Sequence, residues 1–108
     1  MSMLFPSELT SQVHIDREQQ IKTESGGIAS VWTQVATAWV RIRPMSVVEQ
    51  KRYSVDRTVY DHHLYAMATT DIRNGDRIRY GTRTFGDTSV MNVDELNEYL
   101  KIIVREIA

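Results

Sequence analysis

The chain has 108 residues, 42% of them hydrophobic and 25% charged, and its thirteen Lys and Arg against fourteen Asp and Glu give a net charge of -1. This length fits one domain, the composition is too apolar for a disordered chain, and the absence of Cys excludes a disulfide scaffold or a thiolate metal site. The near-neutral charge argues against a general nucleic-acid binder, and no membrane-length apolar run or secretory leader is visible, which predicts a small soluble intracellular protein without a membrane partner.

The first third of the chain predicts an irregular arm and then a strand. Residues 1–12 are expected to be irregular, and residues 13–108 are expected to form a single domain. Apolar and polar residues alternate over residues 13–21, as in a strand with one buried face. Gly26 and Gly27 follow, and paired glycines predict a tight turn.

A second strand is predicted over residues 31–43, which is long enough to bend at a β-bulge. Its faces separate by chemistry. Small and aliphatic residues fall on one face: Ala36, Ala38, Val40 and Ile42. Trp39, Arg41 and Arg43 fall on the other. A large aromatic on a charged face indicates either a bulge that flips the register or a surface that contacts another subunit.

Pro44 ends this strand, and residues 45–61 have no clean period. They are predicted to form a long loop that carries Lys51, Arg52 and Arg57. Loops longer than about 12–15 residues in compact domains are usually functional or disordered. We therefore expect this loop to be functional or disordered, and deletion of residues 47–59 to leave the fold intact.

Further strands are predicted over residues 62–69, 77–80, 83–85 and 88–93, with an Asn74-Gly75 turn before the second of them. The C-terminal segment is ambiguous. Its apolar spacing favours a helix slightly, whereas the β-branched residues within 102–104 favour a strand. Together these elements predict an all-β protein, a small antiparallel barrel or sandwich of five to six strands with a long loop after the second strand.

The string Asp61-His62-His63 contains metal-binding residue types. Consecutive strand residues point to opposite faces, so only Asp61 and His63 would converge, and no second cluster completes a ligand shell. A metal phosphoesterase is therefore a minor hypothesis. No catalytic, cofactor-binding or metal-binding residues are predicted, and the protein is not expected to be an enzyme.

Charge is distributed unevenly along the chain. The middle of the sequence is basic and residues 94–106 are acidic. This pattern is compatible with copies of the chain that pair head to tail, and equally with a mixed surface of solvated charges. The candidate subunit-interface residues are Trp39, Arg41, Arg43, Arg77, Arg79, Glu98 and Glu106.

The order of several motifs, over residues 13–107, resembles the phage head–tail joining family of head-closure (stopper) and adaptor proteins. The matching features are Ser25-Gly26-Gly27, Trp32, the 39–44 segment, Ser46 with Glu49, His62 or His63, the 71–81 segment, Arg83-Thr84-Phe85, the 90–95 segment and a last strand over residues 99–106. Residues 66–68 and Gly86-Asp87 depart from the family pattern. The resemblance implies a turn over residues 92–97 and a C-terminal strand.

The same resemblance implies a β-barrel assembled as a ring, commonly twelvefold on the particle, although a lone chain in solution would be compatible with it. The ring would lie between the portal or adaptor proteins and the tail proteins, in a virion or gene transfer agent assembled in the host cytoplasm. It would retain packaged double-stranded DNA and dock the tail. The long loop would face the DNA channel with Lys51, Arg52 and Arg57.

A single-stranded nucleic-acid-binding barrel is the alternative from the residues themselves. Tyrosines that lie among arginines could stack bases in a basic groove. These are Tyr53, Tyr60, Tyr65 and Tyr80. The acidic C-terminal stretch and the neutral total charge count against it.

Overall fold

Alternating apolar residues place one face of each strand in a common interior, and the strands close into a barrel. The structure is a computed structural model that describes residues 9–54, 58–91 and 99–107. Within these residues the elements are β1 (Ser11–Lys22), β2 (Ile28–Pro44), α1 (Val47–Tyr53), β3 (His62–Met67), β4 (Arg77–Tyr80), β5 (Arg83–Met91) and β6 (Tyr99–Glu106). The closed order is β1-β2-β3-β6-β5-β4, with antiparallel neighbours throughout. The predicted all-β barrel is confirmed.

The barrel interior is filled by aliphatic side chains and one phenylalanine. Inward-facing positions alternate along each strand, as period two requires. The fully or almost fully buried side chains include Val13, Ile15, Val40, Leu64, Ile78, Phe85, Ile102 and Val104. Each such side chain contributes about 1.5–3 kcal/mol relative to leaving it in water. No helix in the described part of the chain is long and apolar enough to cross a membrane.

The long second strand contains a bulge, but it lies before Trp39, so Trp39 stays on the same face as Arg41 and Arg43. Ile15 pairs with Ala36, whereas the next β1 residue, Asp16, pairs with Gln34, so Val35 is the extra residue. The bulge reverses the alternation in β2. As a result Trp32 and Trp39, which pair with Glu18 and Gln12, lie on the same outer face.

Two predicted strands, over residues 83–85 and 88–93, are one strand, β5. Its register against β6 shifts between Gly86 and Ser89, and Asp87 within the shift has a positive φ of 52°. A bulge therefore bends the strand where the sequence indicated an interruption. Asp87 accepts a hydrogen bond from Arg105 Nε at 2.7 Å on the neighbouring strand.

The C-terminal segment is a strand, so the helix that its apolar spacing favoured is wrong and the strand implied by the family resemblance is confirmed. Ile102 and Val104 face the barrel interior, while Ile103 lies on the outer face and is still only 5% exposed. A strand that is buried on both faces reads as a continuous apolar run rather than an alternating one. The implied turn over residues 92–97 lies outside the described residues.

The segment over residues 45–61 is not irregular throughout, because it contains α1. Ser46 caps this helix through a reciprocal pair of bonds: its hydroxyl accepts from Glu49 N, and the Glu49 carboxylate accepts from Ser46 N. Such a capping box satisfies two backbone N–H groups that the first turn would otherwise leave unpaired. At the other end of the chain, β1 begins at Ser11, before the predicted boundary at residue 13, because Ser11 pairs with Val40.

Candidate assembly surfaces

The helix α1 packs on the outside of the barrel wall, over the boundary between β3 and β6. His63 of β3 is completely buried although it pairs with Arg43 on the outer face. Its Nε2 lies 2.6 Å from Glu49 Oε2, and Tyr53 packs edge-on against its ring at 5.5 Å between centroids. Lys101 of β6 donates to Tyr53 Oη at 2.8 Å. The inner face of α1 is therefore fixed to two strands.

Burial determines the protonation state of His63 in this contact. Burial lowers the pKa of His63, more than the hydrogen bond to Glu49 raises it. The hydrogen bond from His63 lowers the pKa of Glu49 to about 2. Glu49 is thus ionised and accepts the bond, so His63 is the neutral tautomer with its proton on Nε2. His63 Nδ1 is buried and has no hydrogen-bond partner among the described residues.

The stability of the folded chain is expected to fall as pH decreases through the range below 6.5. In the unfolded chain His63 has its ordinary pKa of about 6.5, whereas in the folded chain burial lowers this pKa. Protons therefore bind more readily to His63 in the unfolded chain. Below about pH 4.5 the unfolded chain also protonates Glu49 more readily than the folded chain, whose pKa is about 2. Urea denaturation at pH 7.5, 6 and 5 measures the change.

His63→Gln is the matched variant for this experiment, because its side-chain amide can still donate to Glu49 but does not titrate. Its unfolding free energy should depend less on pH between 7.5 and 5 than that of the wild type. His14→Gln is the control for a histidine on the outer face of β1. Equal pH dependence in the wild type and His63→Gln would contradict the assignment.

The outward face of α1 combines apolar and basic side chains. Val47 and Val48 in the first turn are 68% and 67% exposed. Lys51 and Arg52 in the last turn are also exposed. Two of the three cations predicted for the DNA channel therefore lie side by side on a rigidly held helix. The third, Arg57, lies outside the described residues.

A second surface projects from the barrel. Residues 17–22 of β1 and 28–33 of β2 pair with each other beyond the last residues that pair with β4 and β3, forming a two-stranded ribbon. Six residues of strand span about 20 Å, and the molecule is accordingly elongated, with extents of 54 × 29 × 29 Å. Ile21 and Ile28 near the ribbon tip are 47% and 71% exposed.

The base of this ribbon is held by charged contacts. Arg17 donates from Nε and Nη2 to the buried carboxylate of Asp76 at 3.0 and 2.9 Å, and from Nη2 to exposed Asp71 at 3.1 Å. The hydrogen bond to Asp76 is the main cause of a raised pKa of Arg17. On the outer face, the Arg77 guanidinium lies 4.0 Å above the Trp32 ring, a cation–π contact. Beside it is a cleft of about 300 Å³ lined by Glu18, Trp32, Gly75, Arg77, Gly86, Asp87, Arg105 and Ile107.

Comparison with known proteins assigns this chain to a family. A family model of the phage head completion protein matches residues 5–107. The chain belongs to the phage head completion protein family. This is a family of structural virion proteins, so the chain is a component of the virion with a head–tail structural role. No curated protein sequence matches the chain.

Two solved structures share the fold of this head completion family member. The solution structure of protein SF1141 from Shigella flexneri 2a is similar with a TM-score of 0.75 and 19% identity, over 97% of this chain and 98% of that one. A chain in the virion of a native gene transfer agent particle is similar with a TM-score of 0.62 and 15% identity, over 89% of this chain and 93% of that one. Both similarities extend over most of this chain.

Five of the interface residues predicted for this head completion protein are at outward-facing strand positions, and several of the set are already paired. The five are Trp39, Arg41, Arg43, Arg77 and Arg79, whereas Glu106 pairs with buried Phe85 at the end of the barrel. Trp39 is 56% exposed. Arg79 donates to Asp16 at 2.6 and 3.0 Å, and Glu106 accepts from Arg83 at 2.8 and 3.0 Å. The hydrogen bonds raise the pKa of Arg79 and lower that of Glu106. Their charges are therefore compensated within one chain, and Glu98 lies outside the described residues.

The side chains of Asp61, His62 and His63 have different hydrogen-bond partners at one end of the barrel. Asp61 Oδ1 accepts from His62 Nδ1 at 2.7 Å and from Glu106 N at 2.9 Å, whereas His63 bonds to Glu49. The expected convergence of Asp61 and His63 is wrong because β3 begins at His62, so strand alternation does not extend to Asp61. No group of three or more potential metal ligands occurs among the described residues.

The tyrosines proposed to stack bases are dispersed. Tyr53 contacts His63 from α1, and Tyr65 stacks on the same imidazole ring at 6.2 Å between centroids. Tyr60 is half-buried and Tyr80 is 37% exposed. Rings that pack around His63 are not available as a stacking surface, so this geometry does not favour the single-stranded nucleic-acid hypothesis.

Proposed function

We propose that this chain is a head–tail connector of the head-closure type, assembled as a ring between the portal or adaptor proteins and the tail. The ring retains packaged double-stranded DNA and offers the tail a docking surface. The observation that carries the proposal is the outward face of α1, where Lys51 and Arg52 project from a helix that Glu49 and Tyr53 fix to the barrel. Membership of the phage head completion family supports the location.

A ring makes a few cations per chain effective. The total charge of each chain is only -1, yet a twelvefold ring repeats Lys51 and Arg52 around one channel. Contacts to phosphate release counterions, and their contribution grows with the number of phosphates neutralised. The valines of the first turn, Val47 and Val48, provide an apolar area beside the cations for contact with protein.

Neutralising the two cations tests DNA retention. Particles that carry the double variant Lys51→Gln/Arg52→Gln are expected to lose packaged DNA severalfold more readily than wild-type particles, and the difference should decrease at high salt. The measurement is the DNA-filled fraction of purified particles after incubation with nuclease at two salt concentrations. Both substitutions leave the inner face of α1 unchanged.

The control is Arg73→Gln/Arg105→Gln, which removes the same charge from exposed positions outside α1 and outside the ribbon. Equal retention in the α1 variant and the wild type would refute the role in DNA retention. Deleting residues 47–59, which the sequence predicts to leave the fold intact while packaged DNA leaks, is a poorer test because it removes Glu49 and Tyr53, which contact the buried side chain of His63. Location is tested separately, by a particle reconstruction. A junction without a ring of this chain between portal and tail would refute the connector.

A further inference from the structure

The open strand edges of this molecule lie on the ribbon. A closed barrel pairs every strand on both sides, but only over the residues that form its wall. β4 pairs with β1 at residues 14–16, and β3 pairs with β2 at residues 40–44. Among the described strands, residues 17–22 of β1 and 28–39 of β2 therefore have one edge each without a strand partner. On β2 the regular part of this edge, before the bulge at Val35, covers residues 28–34 and is called the β2 edge. The two edges are of similar length and lie on opposite sides of the ribbon.

The β2 edge lacks the features that normally prevent strand pairing. Exposed edges in soluble proteins usually carry Lys, Pro or other charged residues that block a second chain. β2 has no charged residue and no proline from Ile28 to Val40. The bulge at Val35 interrupts the open edge, and the regular part before it includes Ile28, which is 71% exposed. An isolated two-stranded ribbon is at best marginally stable in water, which favours an additional partner strand.

We propose that the β2 edge of one copy pairs with the β1 edge of the next copy, so that the ribbons of the ring form one continuous antiparallel sheet. β1 and β2 run in opposite directions, so ribbons placed side by side in the same orientation bring β2 of one copy against an antiparallel β1 of its neighbour. Pairing of unlike edges is a heterologous contact, which closes into a ring when the rotation between copies permits. This inference rests on the proposed ring and specifies one of its contacts.

The side chains of the two edges are compatible in this arrangement. On the outer face the β1 edge carries Glu18, Gln20 and Lys22, and the facing β2 edge carries uncharged residues. Therefore no two like charges face each other across the two edges in any register. On the inner face Ile21 would lie near Ala29 or Val31 of the neighbouring copy, which extends the apolar surface that these residues already form within one ribbon.

Disulfide trapping tests the pairing, because the chain contains no native Cys. Ser30→Cys is mixed in turn with Glu18→Cys, Gln20→Cys and Lys22→Cys, all on the outer face, and particles assembled from each mixture are oxidised. Directly opposed residues in antiparallel strands have Cα atoms about 4.5–5.5 Å apart, within disulfide range. One mixture is expected to give a mixed dimer severalfold in excess of the two like-with-like dimers, on a non-reducing gel with mass spectrometry.

Thr82→Cys, in the exposed turn between β4 and β5, is the control for random collision. Particles that contain many copies of the chain but give no mixed dimer above this control would overturn the pairing and leave the connector role intact. Like-with-like dimers of Ser30→Cys alone would also overturn it, because they indicate a two-fold contact. If the chain is absent from the junction, the connector role fails, and the same oxidation of the concentrated purified chain then decides on the pairing alone.

Discussion

Replacing Asp76 with alanine is expected to lower the free energy of unfolding by about 3–5 kcal/mol, the cost of removing one partner of a buried ion pair. The Asp76 side chain is 2% exposed and accepts two hydrogen bonds from Arg17 and one from Arg73 N at 2.8 Å. Without the carboxylate, the Arg17 guanidinium, of which 18% is exposed, loses its main partner in a poorly hydrated site. The loss is a large fraction of the 5–15 kcal/mol typical of a small domain.

Asp71→Ala is the matched control, because Asp71 bonds to the same Arg17 Nη2 from an exposed position. Its side chain is 53% exposed and the contact is 3.1 Å long, so its removal should cost less than about 1 kcal/mol. Urea denaturation of the two variants measures the difference, and Asp76→Asn separates charge from volume. Similar losses for Asp71→Ala and Asp76→Ala would show that burial does not control the strength of this anchor.

Phe85→Ala should destabilise the barrel by a similar amount, about 3–5 kcal/mol, because it leaves a cavity at the end of the core. Phe85 is completely buried, and its ring meets the edge of His62 at 5.1 Å between centroids. It pairs with Ile78 and Glu106, so it supports three strands. Phe85→Leu retains most of the volume and should cost about 1.5 kcal/mol or less.

Tyr80→Ala is the control for loss of an aromatic ring in the same hairpin. Tyr80 is 37% exposed, and its removal should change the unfolding free energy by only about 0.5 kcal/mol. Thermal and urea denaturation followed by near-ultraviolet circular dichroism measures all three variants. A loss below about 1.5 kcal/mol for Phe85→Ala would mean that the core repacks around the missing ring.

The strands could be predicted because most of them have one wet face. Val13 and Ile15 alternate with polar residues, and this pattern alone indicates which face of β1 is buried. β6 could not be predicted in this way, since Ile103 on its outer face is buried as well as the inward-facing Ile102 and Val104, and α1 packs on that outer face through the contact of Tyr53 with Lys101. The pattern of a strand depends on what covers it, which comes from residues about fifty positions earlier in the chain.

The helix α1 had a signal that pattern analysis passed over. Ser46 and Glu49 have the spacing of a capping box, which predicts the start of a helix independently of the family motif that contains them. The two valines that follow are poor helix formers, and seven residues are too few to show a period. What holds the helix in place is His63, which is fourteen residues away in sequence.

The charge pattern predicted surfaces but not pairings. Arg79 belongs to the basic middle of the sequence, yet it is neutralised by Asp16, 63 positions earlier, through the contact of β4 with β1. Counting charges along the chain cannot detect such compensation. The projecting ribbon could not be predicted either, because its strands have ordinary strand composition. Only the strand pairing in the structure shows where the contacts with β3 and β4 end.

The continuity of β1 and β2 from the ribbon into the barrel wall has a mechanical consequence. Hydrogen bonds between antiparallel strands lie perpendicular to the strand axis. A pull on the ribbon tip along that axis therefore loads the bonds to β3 and β4 together, in shear, rather than opening them one after another. Bonds that share a load resist much larger forces than bonds that open in sequence. A force applied to the ribbon tip is thus transmitted directly to the wall of the barrel.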